Sequence, residues 1–151
     1  MNPVKYEQAL SRLAAYCSRG ERCADDIRRK MTAWGLSEEE QKKAIQYLQR
    51  ENFLDEKRYC RAFVHDKSQY NRWGVHKIRY ELKKKQISDS LIREAVSEID
   101  KDIYREQLHQ LLAHKRKTVK GANEYEIHQK LIRFAAGKGF SLEDIEAALG
   151  H

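Results

Sequence analysis

The sequence predicts an all-α protein made of three tandem three-helix units. Three observations carry this. The composition is rich in Ala, Glu, Lys, Leu and Arg, with 35% charged residues and a single proline, Pro3, among 151 residues. The apolar residues recur with a period near 3.6 along nearly the whole chain. A short turn pattern then returns twice, at offsets of 51 and 53 residues. With 40% apolar residues a core exists, but a thin one, suited to small helical layers instead of one thick globule.

The elements follow in order. Leu10, Leu13, Ala14 and Cys17 mark a first helix over 6–18. Asp25 opens a second, with Ile27 and Met31 inward, and Gly35 ends it as a left-handed stop. Ser37 reads as an N-cap and Glu40, three residues on, completes a capping box. The third helix turns Ala44, Ile45 and Leu48 inward; Asn52 stops it and Asp55 caps the next. The pattern then recurs. An apolar residue stands directly before a serine in Leu36-Ser37, Ile87-Ser88 and Phe140-Ser141. Nine residues before that apolar position lie Ile27, Ile78 and Leu131, and five before it Met31, Leu82 and Ala135. Eight after the serine lie Ile45, Val96 and Leu149; four after it lie Gln41, Ile92 and Ile145, so the first unit departs there. Leading helices fall at 6–18, about 56–70 and 101–115. The expected units are 1–53, 54–100 and 101–151, each able to bury little alone and more by stacking on its neighbours.

A helix pair with a tight turn can read the DNA major groove, but the second helix must then offer donors at its start. Here those starts read SEEEQKK, SDSLIRE and SLEDIEA. Acids there favour the helix dipole and repel phosphate, which argues against sequence-specific base readout.

Net charge is +7, and the balance by thirds is +3, +2 and +2. Such an excess favours an anionic partner, or simply solubility. The sharpest local concentration is NRWGVHKIRYELKKKQIS, residues 71–88, with Arg72, Lys77, Arg79, Lys83, Lys84 and Lys85 against one acid, Glu81. At 100° per residue Val75, Ile78 and Leu82 face inward. His76, Lys77, Tyr80, Lys83 and Lys84 then face outward, while Arg79 and Lys85 flank the apolar stripe. A basic stripe around an exposed tyrosine suits a binding interface or base stacking; a solvated face with Tyr80 partly covered by the next unit is the plain alternative. A second cluster, KRKTVKG at 115–121, reads as a loop or frayed helix end carrying Lys115, Arg116, Lys117 and Lys120. The candidate partner-binding residues are therefore Arg72, Lys77, Arg79, Tyr80, Lys83, Lys84, Lys115, Arg116 and Lys117.

Catalytic and metal motifs are missing from the sequence. There is no GxxxxGK[ST], GxGxxG or HExxH, and no serine or cysteine in a nucleophile-elbow context. Cys17, Cys23 and Cys60 have no metal-like spacing and read as reduced thiols. The start, MNPVKYEQAL, has no apolar stretch of signal-peptide length, and no segment approaches a membrane span. The expectation is a cytoplasmic protein without a cofactor that acts by binding, not as an enzyme.

The residues also resemble a known family, the RecX regulatory proteins of bacteria, which modulate the RecA recombinase. The match runs over roughly residues 8–149 and is most specific in YLQRENFLDEKRYCRAFVHDK followed by RWGVHKIRYELKKKQIS. Leu54-Asp55-Glu56, Tyr59, Ala62-Phe63, Gly74, Ile78, Leu82 and Ile87 fit the family pattern. Gln86 stands where glycine is common, making the turn less free, and Gln41 replaces an apolar residue, loosening unit one. The resemblance implies an elongated, curved array of three units, a monomer bound along the groove of the RecA–DNA filament. There it would inhibit strand exchange, ATP hydrolysis and coprotease activity, and DNA phosphates within the filament could add to the attraction. Two rivals stay open: a protein that binds DNA directly without RecA, and a helical scaffold for some other protein.

Overall fold

A computed structural model of the protein describes residues 4–150; the first three residues of the MNPVKYEQAL stretch lie outside them. Among the described residues there are nine helices and no strand. They are α1 (Tyr6–Ser18), α2 (Ala24–Ala33), α3 (Glu38–Arg50), α4 (Glu56–Gln69), α5 (Val75–Lys84), α6 (Asp89–Ser97), α7 (Lys101–Arg116), α8 (Glu124–Gly137) and α9 (Leu142–Ala148).

The helices bury their apolar faces in three separate clusters. Leu13, Ile27, Met31, Ala44 and Leu48 from α1–α3 form the first, closed by Leu36 and Leu54. Tyr59, Cys60, Val64, Ile78, Leu82, Ile92 and Ala95 from α4–α6 form the second, with Ile87. Leu108, Leu111, Leu112, Leu131, Ala135 and Ile145 from α7–α9 form the third, with Phe140. The second cluster also takes in Cys23, from the loop before α2. Burial pushes the thiols of Cys23 and Cys60 up to about 11, so both are protonated core fillers at neutral pH.

The sequence repeat is a repeat of one turn. Gly35, Gln86 and Gly139 have φ of 81°, 62° and 103°. After each, an apolar residue returns its N–H to the helix just ended: Leu36 to the Met31 carbonyl at 3.1 Å, Ile87 to Leu82 at 3.2 Å, Phe140 to Ala135 at 3.2 Å. This is the chain reversal that closes a helix through a left-handed residue. The apolar residue buries, and the serine after it caps the next helix. Ser37, Ser88 and Ser141 accept at Oγ from the N–H groups of Glu40, Leu91 and Asp144. Gln86 adopts the left-handed conformation despite its Cβ, which costs more than at glycine. Gln41, expected to loosen unit one, is hydrogen-bonded across the turn. Its Nε2 donates to the Leu36 carbonyl at 3.1 Å and to Thr32 Oγ1 at 3.3 Å, tying the turn where Ile92 and Ile145 bury in the other units.

The units join by their second helices. At the start of α5, the N–H of Gly74 donates to the Lys138 carbonyl at 2.7 Å and that of His76 to the Gly139 carbonyl at 3.0 Å. The N–H of Val75 donates to the Tyr104 hydroxyl at 2.9 Å. The open amide end of α5 is thus satisfied by the carbonyl end of α8 and by α7. No side chain fits between: a Cβ on Gly74 would lie 2.3 Å from the Gly139 carbonyl carbon. The carbonyl end of α5 meets the start of α2 in the same sense but through side chains. Lys85 Nζ pairs with Asp26 at 2.5 Å, and Gln86 Nε2 donates to Asp25 at 3.4 Å. Nearby, Arg58 pairs with Glu21 at 2.5 Å, and the Ala24 N–H donates to Glu56 at 3.1 Å.

Candidate partner-binding surface

Helix α5 buries Ile78 and Leu82 completely, as the periodicity demands. Its outer face carries His76, Arg79, Tyr80, Lys83 and Lys84, all exposed, with Tyr80 at 62%. The stripe is less free than its sequence suggests. Lys83 pairs with Asp89 at 3.2 Å, and Lys84 with Glu81 at 3.6 Å while lying 5.4 Å from the Tyr80 ring. Arg79, expected to flank the core, is exposed. Lys85, expected to snorkel, is committed to Asp26, and that hydrogen bond raises its pKa.

Two candidates sit differently from the expectation. Lys77 is half-buried, not fully outward. Its Cβ side is pressed by the Gly139 turn, and its ammonium lies 4.6 Å from the centre of the Trp73 ring. The incoming third unit, which single-helix geometry cannot see, covers that position. Arg72 is not on α5 at all. It is half-buried in the connection from α4, with φ of 55°.

The second basic cluster is a helix end that runs into a loop, as its sequence suggests. Lys115 and Arg116 occupy the last turn of α7, where cations complement the carbonyl end, and Lys117 is its C-cap. Lys115 lies 4.7 Å over the Phe134 ring and Arg116 pairs with Glu124 at 3.4 Å; Lys117 is exposed.

The first unit carries cations that the sequence reading passed over. Arg12 of α1 lies 5.6 Å from the Trp34 ring centre, at the end of α2. One turn on, the Tyr16 ring is met by Lys30 at 4.4 Å and by Arg22 at 3.8 Å. The signal was available: Arg12/Tyr16 and Lys30/Trp34 are both four apart, one helical turn each. It was hidden because pairing them requires knowing that α1 and α2 lie side by side.

Among the described residues, no group of three or more His, Cys, Asp or Glu side chains is placed to hold a metal ion. A cleft of about 220 Å³ between α4, α6 and α7 is lined by Val64, His65, Ala95, Ile99, Ile103 and Tyr104. Among the described residues, no helix is long and apolar enough to cross a membrane.

The comparisons with known proteins converge. The model of the second three-helix domain of RecX matches residues 55–96, and that of the third matches 102–149. A regulatory protein RecX from Clostridium botulinum (strain Alaska E43 / Type E3) is 39% identical over 124 residues, 80% of this chain and 57% of that protein. One from Prosthecochloris aestuarii is 29% identical over 149 residues, 99% of this chain and 96% of the relative. The chain spans a little over half the length of the clostridial relatives it matches. A crystal structure of a regulatory protein RecX superposes with a TM-score of 0.89 at 23% identity, over 97% of this chain and 73% of the other; at that identity the likeness is one of fold. With both domain models matched in sequence order, the chain belongs to the RecX family of regulatory proteins.

Proposed function

We propose that this chain binds the RecA–DNA filament and restrains RecA, lowering strand exchange, ATP hydrolysis and coprotease activity. It acts as a cytoplasmic monomer, by contact and not by catalysis. The observation that carries this reading is membership of a regulatory family across the second and third units. The surface is in keeping with it: net charge is +7, and Arg79, Tyr80, Lys83 and Lys84 project from α5, with Arg116 and Lys117 at the end of α7. A filament presents acidic protein loops and DNA phosphates, and both attract such a face. Lys77, Arg72 and Lys115 are assigned a lesser part, since each is half-buried.

The test is DNA-dependent ATP hydrolysis by the cognate RecA with increasing amounts of this protein. Wild type is run beside Arg79→Glu/Lys83→Glu/Lys84→Glu, at matched helicity. Inhibition by the wild type that the variant loses supports the filament reading and the α5 face together. Inhibition by both keeps the reading and removes the α5 face from it. No inhibition at amounts saturating RecA rejects the reading and leaves direct DNA binding as the alternative.

A further inference from the structure

We infer that the seam between α1 and α2 is a docking strip for the phosphate backbone of a nucleic-acid strand. This rests on the filament reading and adds a surface to it, in the first unit and apart from α5.

The strip has an order. Arg12 and Tyr16 are one turn apart on α1, and Lys30 and Trp34 one turn apart on α2. Across the seam, Arg12 meets the Trp34 ring and Lys30 meets the Tyr16 ring, whose centre Arg22 also approaches at 3.8 Å. Arg22 is held further by a hydrogen bond from its Nε to the Tyr16 carbonyl at 3.2 Å. Arg19, exposed at the end of α1, continues the row. Cation and ring alternate along the seam.

The acids of this unit's loop and of α2 are turned elsewhere. Glu21 goes to Arg58, Asp26 to Lys85, and Asp25 to Arg29 and Gln86. Among the described residues, no carboxylate lies within ion-pairing distance of Arg12, Arg19, Arg22 or Lys30. The acids are thus engaged, two of them by cations of the second unit, while Arg12 and Arg19 are exposed and Arg22 and Lys30, half-buried, keep their charged ends on rings instead of carboxylates. The α5 stripe differs, since Lys83, Lys84 and Lys85 each have an acid.

The chemistry selects the partner. Stacking on a ring holds a cation in place and lowers the ordering entropy that a contact must overcome. An acid-free row suits a uniformly anionic polymer, whereas protein faces mix both signs. Guanidinium groups match phosphate oxygens in a fork. Tyr16 already carries two cations, so the strip tracks backbone and does not stack bases; binding is independent of sequence.

The experiment uses the full chain and a fluorescent 30-residue oligothymidylate, read by anisotropy from 50 to 300 mM salt. Arg12→Gln/Arg22→Gln/Lys30→Gln is expected to weaken binding at least about tenfold at 50 mM and to flatten the log–log salt slope by about two, near 0.7 per lost phosphate contact. Lys101→Gln/Arg105→Gln/Arg133→Gln, which removes the same charge from exposed positions on the third unit, should stay within about twofold of wild type. Tyr16→Phe should bind as wild type does, since the ring remains; Tyr16→Leu should weaken binding. Melting curves exclude misfolding, and the Phe/Leu contrast stands if the triple variant is unstable. Wild type that ignores the oligonucleotide, or a seam variant that binds equally well, overturns the strip. So does equal binding of polyglutamate through the same residues, which would assign the seam to an acidic protein face. RecA is absent from this assay, so failure of the strip leaves the ATPase result standing. Failed RecA inhibition with intact oligonucleotide binding counts against the filament reading alone.

Discussion

The junction between the second and third units and the junction between the first and second repeat one geometry with different materials. In the former, main-chain N–H groups of Gly74 and His76 meet main-chain carbonyls of Lys138 and Gly139, with Tyr104 taking the N–H between. In the latter, Lys85, Gln86, Arg58 and Glu56 reach across with flexible side chains. Main-chain contact fixes distance to fractions of an ångström and is little affected by salt. Ion pairs between part-exposed side chains tolerate movement and are screened. The same fold motif therefore yields one rigid joint and one compliant joint, and the difference lies in whether two glycines are opposed.

Removing that opposition is the largest perturbation. Gly74→Ala should destabilise the protein by roughly 3 kcal/mol or more, because the new Cβ meets backbone atoms that cannot move aside. A urea melt gives the value, and a loss under 1 kcal/mol would mean that the two backbone segments part easily. Tyr104→Phe should cost about 1–2 kcal/mol by leaving the Val75 N–H without its acceptor. Hydrogen exchange would place that loss at the start of α5, with Ala24 unchanged.

The compliant joint should respond to milder conditions. Asp26→Asn should cost about 1 kcal/mol, and 1 M salt should reduce that cost while leaving Tyr104→Phe untouched. The pH dependence has a definite sign. Burial alone would raise the Asp26 pKa, but hydrogen bonds from Lys85 and the Cys23 N–H hold it below its usual value. A depressed carboxylate contributes stability above its unfolded pKa, near 4, and loses it as pH falls through the folded value. Exchange protection of the Cys23 N–H, which donates to Asp26, should therefore fall below about pH 4 before that of Gly74 does. The smallest effect belongs to Gln86→Gly. It relieves a left-handed residue and forfeits a 3.4 Å bond to Asp25, for a net stabilisation of about 0.5 kcal/mol by thermal melt.

Much of this fold was legible because the repeat is written in local chemistry. Gly35, Ser37, Glu40, Asn52 and Asp55 act on neighbours within a few residues, and each does what its type and position indicate. Gly74 was visible only as a family position. Its cause, a turn 65 residues away at Gly139, is long-range and leaves no periodic trace. The candidate surface suffered for the same reason. A helical wheel sorted α5 into inside and outside, but it could not place the third unit over Lys77 or the ion-pair partners of Lys83 and Lys85. The ring-stacked cations of the first unit escaped because each pair spans two helices.

The stacking of α8 on α5 also bears on how the molecule unfolds. An isolated second unit would expose three N–H groups at the start of α5 that the third unit satisfies. Those two units therefore share their last hydrogen bonds, and opening one unravels part of the other. Among the described residues, the first unit has its own core cluster, contributes Cys23 to the second, and otherwise meets it through polar side chains and the Ala24 N–H. Three repeats in the sequence thus become two cooperative blocks in the native-state ensemble, a small one over α1–α3 and a larger one over α4–α9.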